Sequence, residues 1–194
     1  MRNDSLVIST GQAHELALAF ARNDWANAEI KALCAGDILA KVRQVILGYA
    51  EIKVVEHVID CDVEPFIEPR WRVEEHKKGG QFKWDPQTIR LYLSKGQRGE
   101  ASRMEGGKLR KELEGKPVVN ANVLDYLFEH PHLIPEEWKG KAVYFWGTIY
   151  RDAVGNLDVR YLVFFENQWK WFYQRINQPA WHYHAFAALF ESSN

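Results

Sequence analysis

The chain has 194 residues, of which 46% are hydrophobic, and 25 basic side chains nearly balance 26 acidic ones to give a net charge of −1. This apolar fraction excludes a mostly disordered protein, and the length is that of one domain or two small ones. The balanced charge predicts no general attraction to polyanions. Two cysteines, Cys34 and Cys61, are too few for a disulfide framework, so we expect both to be free thiols.

The sequence contains no run that approaches the roughly 18 apolar residues of a membrane span. The first five residues, Met-Arg-Asn-Asp-Ser, lack the apolar stretch of a signal peptide. We therefore expect a soluble, cytoplasmic protein that makes no contact with a membrane.

The first 50 residues have the periodicity of three short amphipathic helices. Ser9 or Thr10 is suited to cap the first helix, and the second is predicted to begin at Asp24. The third is predicted between an N-cap at Asp37 and a stop at Gly48. Helices this short are marginal alone, so we expect their apolar faces to pack against each other or on the sheet that follows.

Residues 51–94 have the composition and alternation of β-strands. Residues 52–59 are rich in β-branched side chains, and residues 71–84 predict a hairpin around Gly79-Gly80. Apolar and polar side chains then alternate over 89–94, as in a half-buried strand.

Residues 95–140 are predicted to form a loop followed by short helices. The loop covers 95–108, which contain four glycines and little that is apolar. Helices are predicted over 108–114 and 121–130, with a single turn over 135–140.

The C-terminal third is predicted to form an antiparallel meander over 143–150, 158–165 and 168–176, followed by a short helix over 185–190. Eleven of the 26 aromatic residues lie between 144 and 173, on both faces of these strands. Both faces therefore need cover. The whole sequence predicts one α+β domain over 1–194, in which N-terminal helices (1–50) and central helices (108–140) pack on an antiparallel sheet formed by 51–94 and 143–176.

Between residues 57 and 176 the chain carries a series of distinctive short motifs. They are Trp-x-Val-Glu-Glu-His at 71–76, Gly-Gly-Gln-Phe-Lys-Trp-Asp-Pro at 79–86, Leu-Tyr-Leu-Ser at 91–94, Asn-Ala-Asn-Val-Leu-Asp-Tyr-Leu at 120–127, Pro-Glu-Glu-Trp-Lys-Gly-Lys at 135–141 and Phe-Trp-Gly-Thr-Ile-Tyr-Arg at 145–151. This series resembles that of a group of uncharacterised bacterial hypothetical proteins. The resemblance implies a bacterial source and no known activity, so no functional residue is carried over from it.

Three groups of side chains are candidates for metal binding. Asp60, Asp62 and Glu64 follow a predicted strand, where hard oxygen ligands can hold Mg²⁺ or Ca²⁺. The pairs His182 with His184 and His130 with His132 each supply half of a transition-metal site, which needs a third ligand from a distant segment. In each case the simpler interpretation is structural: loop formation for the acids and helix-end contacts for the histidines. We therefore assign no metal site and no cofactor.

Acid–base catalysis is a weaker alternative. Glu74, His76 and His57 could tune one another as a carboxylate–histidine pair. No nucleophile elbow, phosphate loop or dinucleotide-binding glycine pattern occurs in the sequence. Catalytic residues therefore stay unassigned, and whether the protein is an enzyme stays open.

The region 70–116 holds 13 Lys and Arg against 7 Asp and Glu. If these side chains cluster on one face, they form an electrostatic footprint for nucleic acid; if they are scattered, they form an ordinary solvated surface.

The leading functional hypothesis is a non-catalytic binding or interaction module that uses an aromatic face of the sheet. The residues expected to bind are Trp146, Arg160, Trp169, Trp171 and Tyr173, because exposed Trp, Tyr and Arg anchor interfaces and ligands. The expected partner is a protein or a second copy of the chain, with a small ligand as a further option. The alternatives are a metal-assisted hydrolase using Asp60, Asp62, His76 or His182, and nucleic-acid binding by residues 70–116.

Overall fold

A computed structural model describes residues 7–99, 103–178 and 181–191. The chain divides into two compact units, Met1–Val55 and Glu56–Asn194, and each is described by itself. No helix among these residues is both long and apolar enough to cross a membrane. The predicted α+β class is confirmed.

The first unit contains three helices: α1 (Thr10–Arg22), α2 (Asn27–Leu33) and α3 (Ile38–Ile46). Ser9 caps α1, because its hydroxyl accepts a hydrogen bond from the Gln12 amide and the Gln12 side chain bonds back to the Ser9 amide. The second helix begins three residues later than the predicted start at Asp24. None of the residues in these three helices is buried.

The second unit is built on a six-stranded sheet. Its strands are β2 (Arg72–His76), β4 (Ile89–Tyr92), β5 (Ala142–Arg151), β6 (Leu157–Phe165), β7 (Gln168–Arg175) and β8 (Ala185–Phe190). The order is β4-β8-β5-β6-β7, and β2 also pairs with β5. The predicted meander is confirmed as β5-β6-β7, with antiparallel pairing throughout.

Two strands share one edge of β5. β8 runs parallel to residues 142–144, and β2 runs antiparallel to residues 148–151. Between them the Gly147 amide donates to the Val119 carbonyl at 2.9 Å. A Cβ at Gly147 would lie 2.8 Å from the backbone of Asn120, so only glycine allows this approach.

The predicted hairpin over 71–84 is wrong. Within it, β2 pairs with β5, whereas β3 (Gln81–Lys83) pairs with β1 (Val58–Asp60) in a separate two-stranded sheet. Of the predicted β-branched segment 52–59, only residues 58 and 59 lie in a strand, β1. The turn residues at 78–80 indicated a change of chain direction. They could not indicate that the strands before and after the turn each pair with a distant strand.

The predicted helix over 185–190 is also wrong, because Ala185–Phe190 forms β8 in the interior of the sheet. Its backbone pairs with β4 on one side and with β5 on the other. The predicted loop at 95–108 includes a 3₁₀ turn at Lys95–Gln97 and the start of α4 (Gly106–Glu112). Its residues 100–102 lie outside the described residues.

Both faces of the large sheet are covered by apolar layers. On one face α5 (Ala121–Glu129) and the β1–β3 sheet enclose a core that includes Val123, Leu127, Phe145 and Leu162. On the other face α4 and the segment around Trp181 enclose a second core with Tyr144 and Trp146. The predicted requirement for cover on both faces is thus met within the second unit.

The start of α5 is fixed by two asparagines. Asn120 accepts a hydrogen bond from the Asn122 amide, as an N-cap, and its Nδ2 donates to the carbonyls of Cys61 and Lys77 at 2.8 and 3.0 Å. Asn122 Nδ2 donates to the carbonyls of Asp60 and Val63. These bonds hold the loop after β1 against α5, above strands β6 and β7.

Candidate functional site

The five residues expected to bind do not share one face. Consecutive strand residues point to opposite faces. Arg160, Trp169, Trp171 and Tyr173 therefore lie on the face covered by α5, where Arg160 is paired with Tyr173 in the register of β6 and β7. Trp146 belongs to the core on the opposite face.

Arg160 is 1% exposed, and its charge is already neutralised inside the protein. Its guanidinium donates two hydrogen bonds to the Asp125 carboxylate of α5, at 2.6 and 3.1 Å. Burial by itself would lower the pKa of Arg160, but the bonds and charge of Asp125 outweigh burial and raise it. Arg160 is therefore a permanent cation with a fixed partner, unlike an exposed phosphate-binding arginine.

Three aromatic rings surround this guanidinium. Trp171 lies 4.1 Å from the guanidinium carbon, Phe66 lies at 5.5 Å and Tyr173 at 6.0 Å. Such distances are typical of cation–π contacts. Above the group opens a cavity of about 480 Å³, which we call the Arg160 cavity; the loop after β1 and α5 form its walls.

The other two expected residues are mainly structural. Trp169 packs on the core beneath α5, with its ring 5.3 Å from Phe164. Trp146 is 4% exposed and contacts the Trp181 ring at 4.9 Å. It also borders a cavity of about 510 Å³ beside α4.

A larger cleft lies on the face opposite to Arg160. We call it the Tyr161 cleft; it encloses about 810 Å³. Its floor is a row of rings across three strands, in which Tyr144 stacks on Tyr161 at 4.7 Å and Tyr161 contacts Phe172 at 5.8 Å. Phe165 and Phe172 at its rim are 55% and 43% exposed.

Two cationic side chains and two histidines surround the Tyr161 cleft. Arg103, Lys141, His182 and His184 line it, and no lining residue within the described part of the chain is acidic. Burial, together with the positive charges of Arg103 and His184, lowers the pKa of His182 below its ordinary value. Burial raises the pKa of Tyr144 and Tyr161, so both phenols stay neutral.

Among the residues of this cleft, only His182 and His184 were candidates from the sequence, as metal ligands, and His182 also for the hydrolase alternative. Tyr161 and Phe172 alternate with the expected residues Arg160 and Trp171, so period-two alternation placed them on the opposite face. That signal was present in the sequence. No local sequence pattern indicated the basic rim of the cleft, because Lys141 and His182 reach it from separate loops.

The acidic cluster after β1 has a structural role. Asp62 Oδ1 accepts hydrogen bonds from the amides of Gly79 and Gly80 at 3.0 and 2.8 Å. Asp60 Oδ1 accepts one from the Asp62 amide. These bonds shape the turn before β3.

The structure brings a third histidine to the His130 and His132 pair. The ring of His57 lies 5.7 Å from that of His130 and 6.0 Å from that of His132. Even so, no group of three or more His, Cys, Asp or Glu side chains among the residues described is arranged to hold a metal ion. The Tyr126 hydroxyl lies 2.9 Å from His57 Nδ1, which ties this ring to α5.

The residues proposed for acid–base chemistry have separate partners. Glu74 accepts two hydrogen bonds from Arg151, at 2.6 and 2.8 Å. His76 contacts the Thr148 hydroxyl and the Cys61 carbonyl. Since His182 lines the Tyr161 cleft and Asp60 the Arg160 cavity, the hydrolase candidates are not gathered at one place.

Several basic side chains of region 70–116 form ion pairs on the surface. Their pairs are Arg72 with Glu74, Lys83 with Glu56, Lys108 with Glu105 and Arg110 with Glu75. Nucleic-acid binding by this region stays a prediction.

No family model, curated protein or solved structure matches the chain.

Proposed function

We propose that the protein is a non-catalytic binding module, and that it binds a small amphipathic organic anion in the Tyr161 cleft. The proposal rests on one observation above all: among the described residues, the side chains with acid–base character that line this concave aromatic surface are basic, apart from two neutral tyrosines. Aromatic rings supply apolar area, and the rim supplies the opposite charge for a carboxylate, sulfonate or phosphate.

The size of the cleft supports a small molecule. Ligand pockets commonly enclose about 300–1,000 Å³, and this cleft encloses about 810 Å³. The row Tyr144, Tyr161 and Phe172 supports a flat or extended apolar body that can lie across the three strands.

The Arg160 cavity is less suited to an anion. Asp125 already occupies the guanidinium of Arg160, and an anionic ligand would have to displace it. Displacing Asp125 would leave its carboxylate without a partner, next to the negative charge of the ligand.

Self-association through the same surface is the second candidate. β7 is an edge strand of the sheet, and Phe165 and Phe172 stand exposed beside it. Exposed aromatic residues at an edge strand favour contact with another chain.

An anilinonaphthalene sulfonate dye is a suitable probe, because it combines aromatic rings with one negative charge. We expect Phe172→Ala to weaken dye binding about 10-fold, since the ring contributes contact area in the cleft. Lys141→Gln should weaken dye binding about 3-fold, and the loss should be larger at low salt. Fluorescence titration measures both effects.

Phe66→Ala is the matched control, because it removes an exposed ring of the same size from the opposite face. It should leave dye affinity within about 2-fold of wild type. Dodecanoate should displace the dye, whereas dodecylammonium should not. Equal loss of affinity in Phe66→Ala and Phe172→Ala would refute a specific cleft, and a dimer in sedimentation that Phe172→Ala dissociates would favour self-association.

A further inference from the structure

His182 is a titratable side chain in the wall of the Tyr161 cleft, and its surroundings are basic or neutral. No acidic side chain lines this cleft within the described part of the chain. The titratable and charged groups that face the ring or share the cleft with it come from four segments. They are Arg103 before α4, Lys141 and Tyr144 at the start of β5, Tyr161 of β6, and Tyr183 and His184 of its own segment.

The structure favours the neutral form of this imidazole. His182 Nδ1 accepts a long hydrogen bond, of 3.4 Å, from the His184 amide, and this contact requires a lone pair on that nitrogen. Burial, followed by the positive charges of Arg103 and His184, lowers the pKa of His182 below its ordinary value. The ring is therefore mostly uncharged near neutral pH.

An anion in the cleft reverses this preference. Negative charge close to the ring favours the imidazolium and offsets the repulsion from Arg103, so it raises the pKa of His182. The proton comes from the solvent and is added at Nδ1, which then donates a hydrogen bond where it accepted one before. Between the lower pKa of the free protein and the higher pKa of the complex, binding of an anion therefore takes up a proton.

We propose that the Tyr161 cleft binds its anion together with a proton on His182, so that the affinity of the cleft rises as the pH falls. This coupling rests on the binding function proposed above and adds a control by pH to it. At high pH the ring is neutral in the free protein and in the complex, and the affinity is lowest. As the pH falls through the range of His182, the complex is protonated before the free protein, and the affinity increases.

Fluorescence titration of the full chain with the anilinonaphthalene sulfonate dye tests the coupling, at about pH 5.5 and about pH 8 and at constant ionic strength. We expect the wild type to bind the dye about 5-fold more tightly at the lower pH. His182→Gln should bind as the wild type does at the higher pH and should lack the gain at the lower pH. This variant should fold, because the His182 side chain is only half-buried and the contact with Gln97 is made by the His182 carbonyl.

Two controls separate His182 from the net charge of the protein. His14→Gln removes an exposed histidine of α1, outside the cleft, and should keep the dependence on pH. N-phenylnaphthylamine has the rings of the dye without its sulfonate, so its affinity should be the same at both pH values.

Calorimetry in two buffers of different ionisation enthalpy counts the protons directly. Dye binding should take up as much as about one proton per chain in the wild type, and most of this uptake should be absent in His182→Gln. Dye affinity that is equal at both pH values would overturn the coupling and leave the proposed binding function intact. A dependence on pH that His182→Gln retains in full would overturn it in favour of net charge. Absence of dye binding at every pH would overturn both proposals.

Discussion

Cys61 lies directly after β1 and is buried, whereas Cys34 is exposed. Burial, with smaller contributions from the carboxylates of Asp62 and Asp60, raises the pKa of the Cys61 thiol to about 11. Since the thiolate is the reactive form, burial and charge together protect this side chain from thiol reagents.

We therefore expect one fast-reacting thiol per chain at pH 8. An aromatic disulfide reagent should modify Cys34 within minutes and Cys61 only after denaturation, with absorbance as the readout. The fast phase should disappear in Cys34→Ser and persist in Cys61→Ser. Two fast phases of equal amplitude in the folded protein would contradict the buried position of Cys61.

Arg160 shows what the sequence can and cannot predict at the scale of a residue. The interpretation that it lies among Trp171 and Tyr173 follows from strand alternation. Its partner Asp125 lies 35 residues away on α5, and no local pattern reports that pairing. Two of the residues grouped with Arg160 from the sequence, Trp171 and Tyr173, are its neighbours, whereas Phe66 and Asp125 reach it from other segments.

At the scale of elements, two adjacent glycines in α4 occupy very different positions. A Cβ on Gly106 would overlap the Ile176 carbonyl and the Trp181 indole, whose Cε2 would be 2.9 Å away. Nothing lies within 4 Å of a Cβ on Gly107. The helix can therefore approach the second core closely at only one of the two positions.

Gly106→Ala should lower the free energy of unfolding by about 3 kcal/mol or more, because Trp181 or the backbone must shift. Gly107→Ala should raise it by about 0.5 kcal/mol, because alanine loses less backbone freedom on folding. Urea denaturation measures both values. Effects of the same sign and size would show that α4 does not approach Trp181 as closely as described.

Elements with strong local signals were predicted correctly, and those defined by distant pairing were not. The long alternating runs of β5, β6 and β7 specify a meander by themselves. The segment Ala185–Phe190 is short and rich in alanine, which favours a helix locally. It becomes β8 because β4 and β5 offer backbone partners on both sides.

At the scale of the whole molecule, both apolar cores consist of residues from the second unit, from Ile59 to Leu189. The helices of the first unit contain no buried residue. Most of the hydrophobic contribution to stability among the described residues therefore comes from the second unit.

A chain that begins at Glu56 should accordingly fold by itself. We expect a single cooperative thermal transition with a Tm within about 3 °C of the full chain, measured by circular dichroism. A shortened chain without a cooperative transition would show that the first unit is needed for folding.

The Tyr161 cleft and the Arg160 cavity could be predicted only in part from the sequence. An aromatic excess on both strand faces was evident, and it led to the expectation of a binding surface. The opposite charges of the two clefts arise because loops and α5 bring Lys141, Glu64 and Glu129 to them from separate parts of the chain.

Arg160 and Tyr161 are neighbours in β6, yet the cavities over them carry charge of opposite sign. Within the second unit, the two faces of the sheet therefore present local charge of opposite sign. Negatively charged groups would be attracted to the Tyr161 cleft, whereas positively charged groups would be attracted to the opposite face.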